Sequence, residues 1–164
     1  MKQDLTSIFI VEDDKFYATL VKDFLAKKNY SNVEVFGSGE ACLENMHRSP
    51  SVVILDHGLG RTSGLDVLKK IKSINPNIHV IFLSAQEKMG VAINALKYGA
   101  YDYLEKNGGN LERLIHLLQR IATYDTMAVE NLEYRRFKKW FFVLLATAIV
   151  AVVYLGLQYP EWFE

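Results

Sequence analysis

The sequence is poor in cysteine and has no excess of charge of either sign. Its only cysteine, Cys42, excludes a framework of intramolecular disulfides, and its place in a helix-like run indicates a small buried apolar side chain. This cysteine usage fits a reducing, cytosolic compartment. Lysine and arginine number 19, as do aspartate and glutamate, so the chain lacks a global basic field. We therefore expect no nucleic-acid partner.

We also expect no export signal, and the sequence shows no repeats. The first apolar run, Ile8 to Val11, is too short for the core of a signal peptide. There is no internal repeat and no low-complexity segment, and neither glycine nor proline occurs from Leu111 to Leu155. The 164 residues suffice for one domain with its own core and an additional segment.

The most informative stretch runs from Ser51 to Gly64, where an aliphatic run ends at Asp56 and a glycine-rich turn follows. Val52 to Leu55 shows no alternation with polar residues, which is typical of a strand buried on both faces of a parallel sheet. In open α/β sheets, ligands bind at the carboxyl edge of the strands. Asp56 is predicted to lie at that edge, although an aspartate there can also simply start a turn.

Strand-like and helix-like segments alternate as far as residue 123. Strands are predicted at 7–11, 33–36, 52–55, 78–83 and 101–104, and helices at 15–28, 39–48, 64–72, 87–98 and from 110 onward. This alternation predicts an α/β fold, a doubly wound five-stranded parallel sheet with right-handed crossovers.

Chemically active side chains follow four of the predicted strands. They are Glu12 and Asp13 after the first strand, Asp56 after the third, Ser84 after the fourth and Lys106 after the fifth. Parallel strands bring these ends to one edge, where three carboxylates repel each other unless a cation lies among them. Mg²⁺ is a hard cation that takes oxygen ligands. A hydroxyl and an ammonium opposite complete a predicted site for a phosphoryl group on Asp56, which acts as the nucleophile.

The motifs IFIVEDD, VVILDHGLGRTSG, VIFLSA and GAYDYLEK, in this order, resemble the receiver domain of two-component response regulators. The resemblance covers residues 8 to about 123 and implies a flavodoxin-like sheet of order 2-1-3-4-5. It also implies phosphorylation of Asp56 by a sensor histidine kinase or phosphotransfer protein. The implied Mg²⁺ ligands are Asp13 and Asp56, with help from Glu12 and the carbonyl of Gly58.

The resemblance also implies a switch, in which Ser84 moves toward the phosphoryl group and the rotamer of Tyr103 follows it. Ser84 replaces the commoner threonine but keeps the hydroxyl. His57, directly after Asp56, has two interpretations: pH-tuned dephosphorylation, or a ring packed sideways on the sheet, which we favour. A further hypothesis is that Gly58 and Gln86 set the lifetime of the phosphoryl group.

Two positions, one glycine and one asparagine, depart from the family pattern. Gly60 stands where family members often have proline, and Asn107 follows Lys106 where proline is very common and the peptide bond is often cis. A cis bond before any other residue costs about 2.5 to 4 kcal/mol. Either the Lys106–Asn107 bond is trans and Lys106 is aimed differently, or strain is stored in this loop.

The C-terminal part contains 18 residues without charge, from Trp140 to Leu157. As a helix they would span about 27 Å at ~1.5 Å per residue, close to the ~30 Å hydrocarbon core of a bilayer. Trp140 at one end, and Tyr159 and Trp162 at the other, suit the aromatic belts of a membrane interface. We therefore predict a single transmembrane helix.

The predicted organisation has four parts: a receiver domain at 1–123, a juxtamembrane helical linker at 124–139, the transmembrane helix at 140–157 and a short tail at 158–164. Basic residues precede the apolar segment at Arg135, Arg136, Lys138 and Lys139. By the positive-inside rule, they predict a single-pass membrane protein with a cytoplasmic receiver domain and its C-terminus on the far side. Apolar residues near heptad spacing from Leu111 to Leu132 add the hypothesis of a homodimer, although Asp125 and Arg135 fall on the seam.

Two classes of function remain open. In the first, the chain is a membrane-anchored single-domain response regulator that accepts a phosphoryl group on Asp56 and signals to an output protein through a partner-binding surface. In the second, it is a scaffold or docking subunit of a membrane complex in which phosphorylation is not obligatory. The converging acid, hydroxyl and lysine set favours the first. No output module follows the receiver, so we expect no enzymatic activity beyond self-catalysed phosphorylation and dephosphorylation of Asp56.

Overall fold

The computed structural model describes residues 7–60, 62–85, 89–107 and 109–158, apart from the side chains at 124–136 and 148–158. The chain divides into two compact units, Met1–Ala122 and Thr123–Glu164. The first contains the sheet and every residue predicted for the phosphoryl site. The hypotheses about Gln86, Tyr159, Trp162, Asp125 and Arg135 concern residues outside the described part.

Seven strands occur in the described residues. They are β1 Ile8–Val11, β2 Val33–Phe36, β3 Val52–Asp56, β4 Gly58–Leu59, β5 Thr62–Ser63, β6 His79–Ser84 and β7 Asp102–Glu105. Five of them form a parallel sheet of order β2-β1-β3-β6-β7, while β4 and β5 form a small antiparallel hairpin. The predicted five-stranded parallel sheet of order 2-1-3-4-5 is therefore confirmed, with the hairpin as an addition inside the loop after β3.

Five α-helices connect or follow these strands. They are α1 Lys15–Lys27, α2 Gly39–Glu44, α3 Gly64–Ile74, α4 Met89–Lys97 and α5 Asn110–Gln158. The predicted helix at 39–48 is interrupted because the Asn45 side chain donates to the carbonyl of Ala41 at 2.9 Å, and a single 3₁₀ turn, Met46–Arg48, follows. The predicted start of the fourth helix at Glu87 lies among residues that are not described.

Two apolar layers cover the sheet. Side chains alternate between the faces along each strand, so Ile54 packs on the layer formed with α1 and α5, and Val53 on the layer formed with α2, α3 and α4. All five residues of β3 are buried, since it lies at the centre of the sheet with helices on both sides. The central strand therefore delivers Asp56 to the carboxyl edge with little freedom to move.

The second unit contributes the C-terminal part of α5. Its described apolar side chains are exposed, among them Phe137, Trp140 and Phe141, and the rings of Phe137 and Phe141 stack at 6.5 Å. Within the part of the chain that the structure describes, no helix is long and apolar enough to cross a membrane. The side chains at 148–157, more than half of the predicted transmembrane segment, lie outside that part.

Candidate functional site

The carboxyl ends of the parallel strands enclose a cleft of about 310 Å³. Its lining consists of Glu12, Asp13, Asp14, Asp56, His57, Gly58, Ser84, Ala85 and Lys106. The structure thus brings together all the predicted acid, hydroxyl and ammonium groups at one edge of the sheet. Tyr103 is not part of this lining.

Asp56 is held by the backbone around it. The strand β3 pairs with β1 and β6, and the amide of His57 donates to the carbonyl of Leu83 at 2.9 Å just beyond Asp56. On the other side, the start of α3 approaches so closely that a Cβ on Gly64 would lie 2.2 Å from the carbonyl oxygen of Asp56. Only glycine fits there, and the residue Asp56 is left 4% exposed in the cleft.

Lys106 reaches across the cleft to two carboxylates. Its Nζ lies 3.0 Å from Asp56 Oδ1 and 2.6 Å from Glu12 Oε2. Burial lowers the pKa of Lys106, but hydrogen bonds and charges from Glu12 and Asp56 outweigh it, and the pKa is raised overall. The ammonium therefore stays charged in the cleft.

The loop after Lys106 resolves the two alternatives that the sequence left open. The Lys106–Asn107 peptide bond is trans, yet the ammonium points at Asp56. The trans alternative is thus the one observed, with Lys106 Nζ in contact with both Asp56 and Glu12, and a different aim of Lys106 relative to other family members stays a prediction. Within the loop, Asn107 Oδ1 accepts from the amide of Asn110 at 3.0 Å, and Asn110 Nδ2 donates to the carbonyl of Glu105 at 2.9 Å.

The three acids form a group suited to a divalent cation. Carboxylate oxygens of Glu12, Asp13 and Asp56 lie within 4.8 Å of one another, with Asp13 exposed and the other two buried. Burial raises the pKa of Glu12, the hydrogen bond from Lys106 opposes this, and the charge of Asp56 raises it further. An all-oxygen set with an open, exposed side is the arrangement in which Mg²⁺ keeps part of its water shell. The residues present therefore fit Mg²⁺.

Within this acid group, Glu12 has its own protein partners. Its Oε1 accepts from the amide of Asp14 at 3.3 Å, while Oε2 pairs with Lys106. Gly58 lies beside the acids at the cleft, and a Cβ there would lie 3.7 Å from Asp56 Oδ2. Asp13, Asp56 and Glu12, the predicted acidic ligands, thus all belong to the group at which a cation would bind.

The predicted switch residues lie on neighbouring strands. Ser84 ends β6 inside the cleft and is 2% exposed. Tyr103 lies beside Phe82 in the register of β7 with β6, and the two rings stack at 6.3 Å. Tyr103 therefore packs against the strand that carries Ser84.

His57 lines the cleft but packs on the sheet. Its ring contacts Phe82 at 5.8 Å between centroids, with the planes tilted by 44°. Its Nδ1 is buried and has no hydrogen-bond partner among the described residues. This geometry supports the interpretation that we favoured, a ring packed sideways on the sheet.

Residues of the first turn of α1 also border the site and were not predicted for it. Asp14 caps α1, as expected, by accepting from the amides of Phe16 at 2.9 Å and Tyr17 at 3.3 Å. The ring of Tyr17 lies 4.8 Å from Lys106 Nζ. The only sequence signal was its position one turn after a strand tip, which does not reveal a partner so distant in the chain.

Comparison with known proteins agrees with this geometry. A family model described as response regulator receiver domain matches residues 8–119. The chain is 36% identical over 107 residues to the transcriptional regulatory protein ZraR of Escherichia coli O157:H7, a match covering 65% of the chain and 24% of the relative. It is 32% identical over 132 residues to a putative response regulator NtrX-like of Rickettsia bellii, covering 79% and 27%.

Solved structures give the same result. A receiver domain of a putative LuxO repressor from Vibrio parahaemolyticus superimposes with a TM-score of 0.66 at 29% identity, covering 74% of this chain and 96% of that one. A receiver domain protein from Clostridium thermocellum gives 0.69 at 26% identity, covering 76% and 99%. The chain spans about a quarter of the length of the curated relatives that it matches.

Proposed function

The chain belongs to the response regulator receiver family of two-component signalling, and from that premise we propose that it accepts a phosphoryl group on Asp56 from a histidine kinase or phosphotransfer protein. Receiver domains are phosphoacceptor signalling domains that bind Mg²⁺ at an acidic pocket. The observation that carries the proposal is the bridge from Lys106 to Asp56 and Glu12 in the cleft. An aspartate with no role beyond the protein surface would have neither buried neighbours nor a lysine ammonium held against it.

The reaction is an in-line displacement at phosphorus. A carboxylate oxygen of Asp56 attacks, a P–O bond forms, and the bond from phosphorus to the donor breaks. The leaving group, an imidazole nitrogen or the carboxylate of an acyl phosphate, takes the bonding electron pair. Lys106 already lies against Oδ1 of Asp56, so its charge is in place to stabilise the phosphoryl oxygens as they become more negative.

The remaining residues of the cleft assist this step. Mg²⁺, when held by Asp13 and Asp56, would supply positive charge to the phosphoryl oxygens. Ser84 offers a hydroxyl donor at the end of β6, within the same cleft. A hydrogen bond from Ser84 to the new phosphoryl group would pull on β6 and change the packing of Tyr103 against Phe82. The exposed apolar residues of α4, Ile93 and Leu96, would then belong to the surface to which an output protein binds.

Phosphate transfer from a small donor tests the proposal on the full chain in detergent micelles. With Mg²⁺ and acetyl phosphate, we expect one phosphoryl group per chain, seen as retardation on a gel that binds phosphoproteins. Asp56→Asn should abolish it, while Asp66→Asn, on the exposed first turn of α3, should not. Absence of any adduct that depends on Asp56 would favour the alternative, a scaffold or docking subunit of a membrane complex.

The proposed function includes attachment to a membrane, with the receiver domain on the cytoplasmic side and the C-terminus across the bilayer. Its support is the uncharged run from Trp140 to Leu157 and the basic residues before it. We expect the expressed chain to stay in membranes washed with alkaline carbonate. Ile149→Arg should weaken this retention, because arginine at the centre of a span costs about 2.5 to 3.5 kcal/mol, and Thr147→Leu should not. Recovery of the unmodified chain in the wash would contradict membrane attachment.

A further inference from the structure

The ring of Tyr17 lies 4.8 Å from Lys106 Nζ, and we infer that Tyr17 is a positioning residue that holds this ammonium for phosphoryl transfer to Asp56. The inference rests on the proposed function and adds a residue from outside the cleft lining. The ring face of tyrosine carries partial negative charge, so it attracts a cation placed over it. Tyr17 thereby covers a side of the ammonium that the two carboxylates leave open.

A ring of four linked residues, Glu12, Asp14, Tyr17 and Lys106, holds the Tyr17 side chain against the Lys106 ammonium. Glu12 Oε1 accepts from the amide of Asp14, and Asp14 Oδ1 accepts from the amide of Tyr17, both at 3.3 Å. The Tyr17 ring contacts Lys106 Nζ, and Lys106 Nζ in turn pairs with Glu12 Oε2 at 2.6 Å. The first turn of α1 is thus tied to the acid that follows β1, and the ring position is tied to the acid cluster.

Lys106 needs such a guide because its own backbone position does not determine where its long side chain ends. Its amide donates to the carbonyl of Ser84 at 2.8 Å, which fixes the main chain beyond β7. The four methylene groups that follow carry the larger part of the rotamer freedom of lysine. Tyr17 is half-buried and packs on the apolar layer of α1 and α5, so it offers a rigid surface to the flexible side chain.

The test replaces Tyr17 in the full chain and measures the rate of Asp56 phosphorylation by acetyl phosphate at saturating Mg²⁺. Tyr17→Phe should keep the wild-type rate, because the ring remains. Tyr17→Leu should lower the rate about 2- to 30-fold, which corresponds to a cation–π contribution of about 0.5 to 2 kcal/mol. The dissociation constant for Mg²⁺, measured by calorimetry, should stay the same, since the carboxylates are unchanged.

Ring electrostatics can be varied at nearly constant shape. Phenylalanine carrying two or three fluorine atoms at position 17 withdraws charge from the ring face, so the rate should fall stepwise with fluorination. Equal rates across this series would overturn the inference, because Tyr17 would then act only as packing. A fall in Mg²⁺ affinity parallel to the fall in rate would overturn it as well, since it would indicate general distortion of the site.

A double-mutant cycle tests whether Tyr17 acts through Lys106. In the Lys106→Met background, Tyr17→Leu should cause no further loss of rate, and a further loss equal to that in wild type would contradict the inference. Tyr98→Leu is the matched control, because it removes a similar contact, 4.4 Å from Lys69 Nζ, away from the cleft. If the wild-type chain takes up no phosphoryl group, both proposals fall; if it does and the fluorinated series is flat, only this one falls.

Discussion

The two sides of the cleft are built in different ways. On one side, Asp56 is fixed by main-chain structure: a buried central strand, pairing with its two neighbours, and the close approach of Gly64. On the other side, Lys106 follows an edge strand whose residues are only partly buried, apart from Leu104. Its ammonium is fixed by side chains from other segments, Glu12 and Tyr17.

Because of this difference, we expect substitutions on the two sides to affect different properties, folding stability on one side and phosphorylation on the other. Changes on the Asp56 side disturb the packing of β3 against α3, so we expect them to cost folding free energy. Changes on the Lys106 side leave the sheet intact, so we expect them to alter the reaction first. Four substitutions test this division, beginning with the largest expected effect.

Gly64→Ala should be the most damaging change. Its Cβ would lie 2.2 Å from the carbonyl oxygen of Asp56 and 2.9 Å from the Cα of His57, and neither main-chain atom can move without breaking the end of β3. We expect a loss of about 3 kcal/mol or more in the free energy of unfolding, measured with urea. Gly90→Ala is the control: it meets nothing within 4 Å in α4 and should stabilise the chain by about 0.5 to 1 kcal/mol.

Lys106→Met should act mainly on the reaction. Methionine keeps most of the length and removes the charge that lies 3.0 Å from Asp56, so the rate of phosphorylation should fall by about 10²- to 10³-fold. Affinity for Mg²⁺ should not fall, because the substitution removes the lysine ammonium that competes with Mg²⁺ for the carboxylates. A rate within a few-fold of wild type would mean that Lys106 does not stabilise the transferred phosphoryl group.

Glu12 provides a pH dependence on the Lys106 side. Its pKa is raised by burial above the ordinary 4.5, so its protonated form stabilises the fold fully below pH 4.5, and this stabilisation is lost as the pH rises through the raised value. Glu12→Gln cannot ionise. Without Mg²⁺, the stability of Glu12→Gln relative to wild type should therefore increase with pH across this window. A difference that is constant, or that shrinks with rising pH, would contradict the raised pKa.

Asn110→Ala should have the smallest effect. It removes one side-chain hydrogen bond to the carbonyl of Glu105, at 2.9 Å, and should cost about 1 kcal/mol of stability. Asn94→Ala, at an exposed position of α4, is the control and should cost nothing. If Asn110→Ala slowed phosphorylation more than Tyr17→Leu, the loop itself would guide Lys106, contrary to our account.

Sequence patterns predicted the Asp56 side well. Aliphatic runs without polar alternation identified the buried strands, and the polar residue after each run identified the carboxyl edge where Glu12, Asp56 and Ser84 meet. Strand order followed from the family resemblance and is confirmed. These features depend on local periodicity, which a sequence displays directly.

The Lys106 side could not be predicted in the same way. The contact of Lys106 with Tyr17 joins two segments far apart in the chain, and no periodicity reports it. The hairpin of β4 and β5 was missed because two-residue strands have no measurable alternation. Asn45 ended a predicted helix through a side-chain bond that competes with helix propagation.

The central claim is that Asp56 carries the phosphoryl group, and locating the acyl phosphate tests it most directly. The full chain is incubated with acetyl phosphate and Mg²⁺, reduced with borohydride and digested, and the peptide containing residue 56 is analysed by mass spectrometry. We predict conversion of Asp56 to homoserine, which requires Mg²⁺ and disappears when it is chelated. An unmodified Asp56, or reduction at Asp13 or Asp14 instead, would contradict the account.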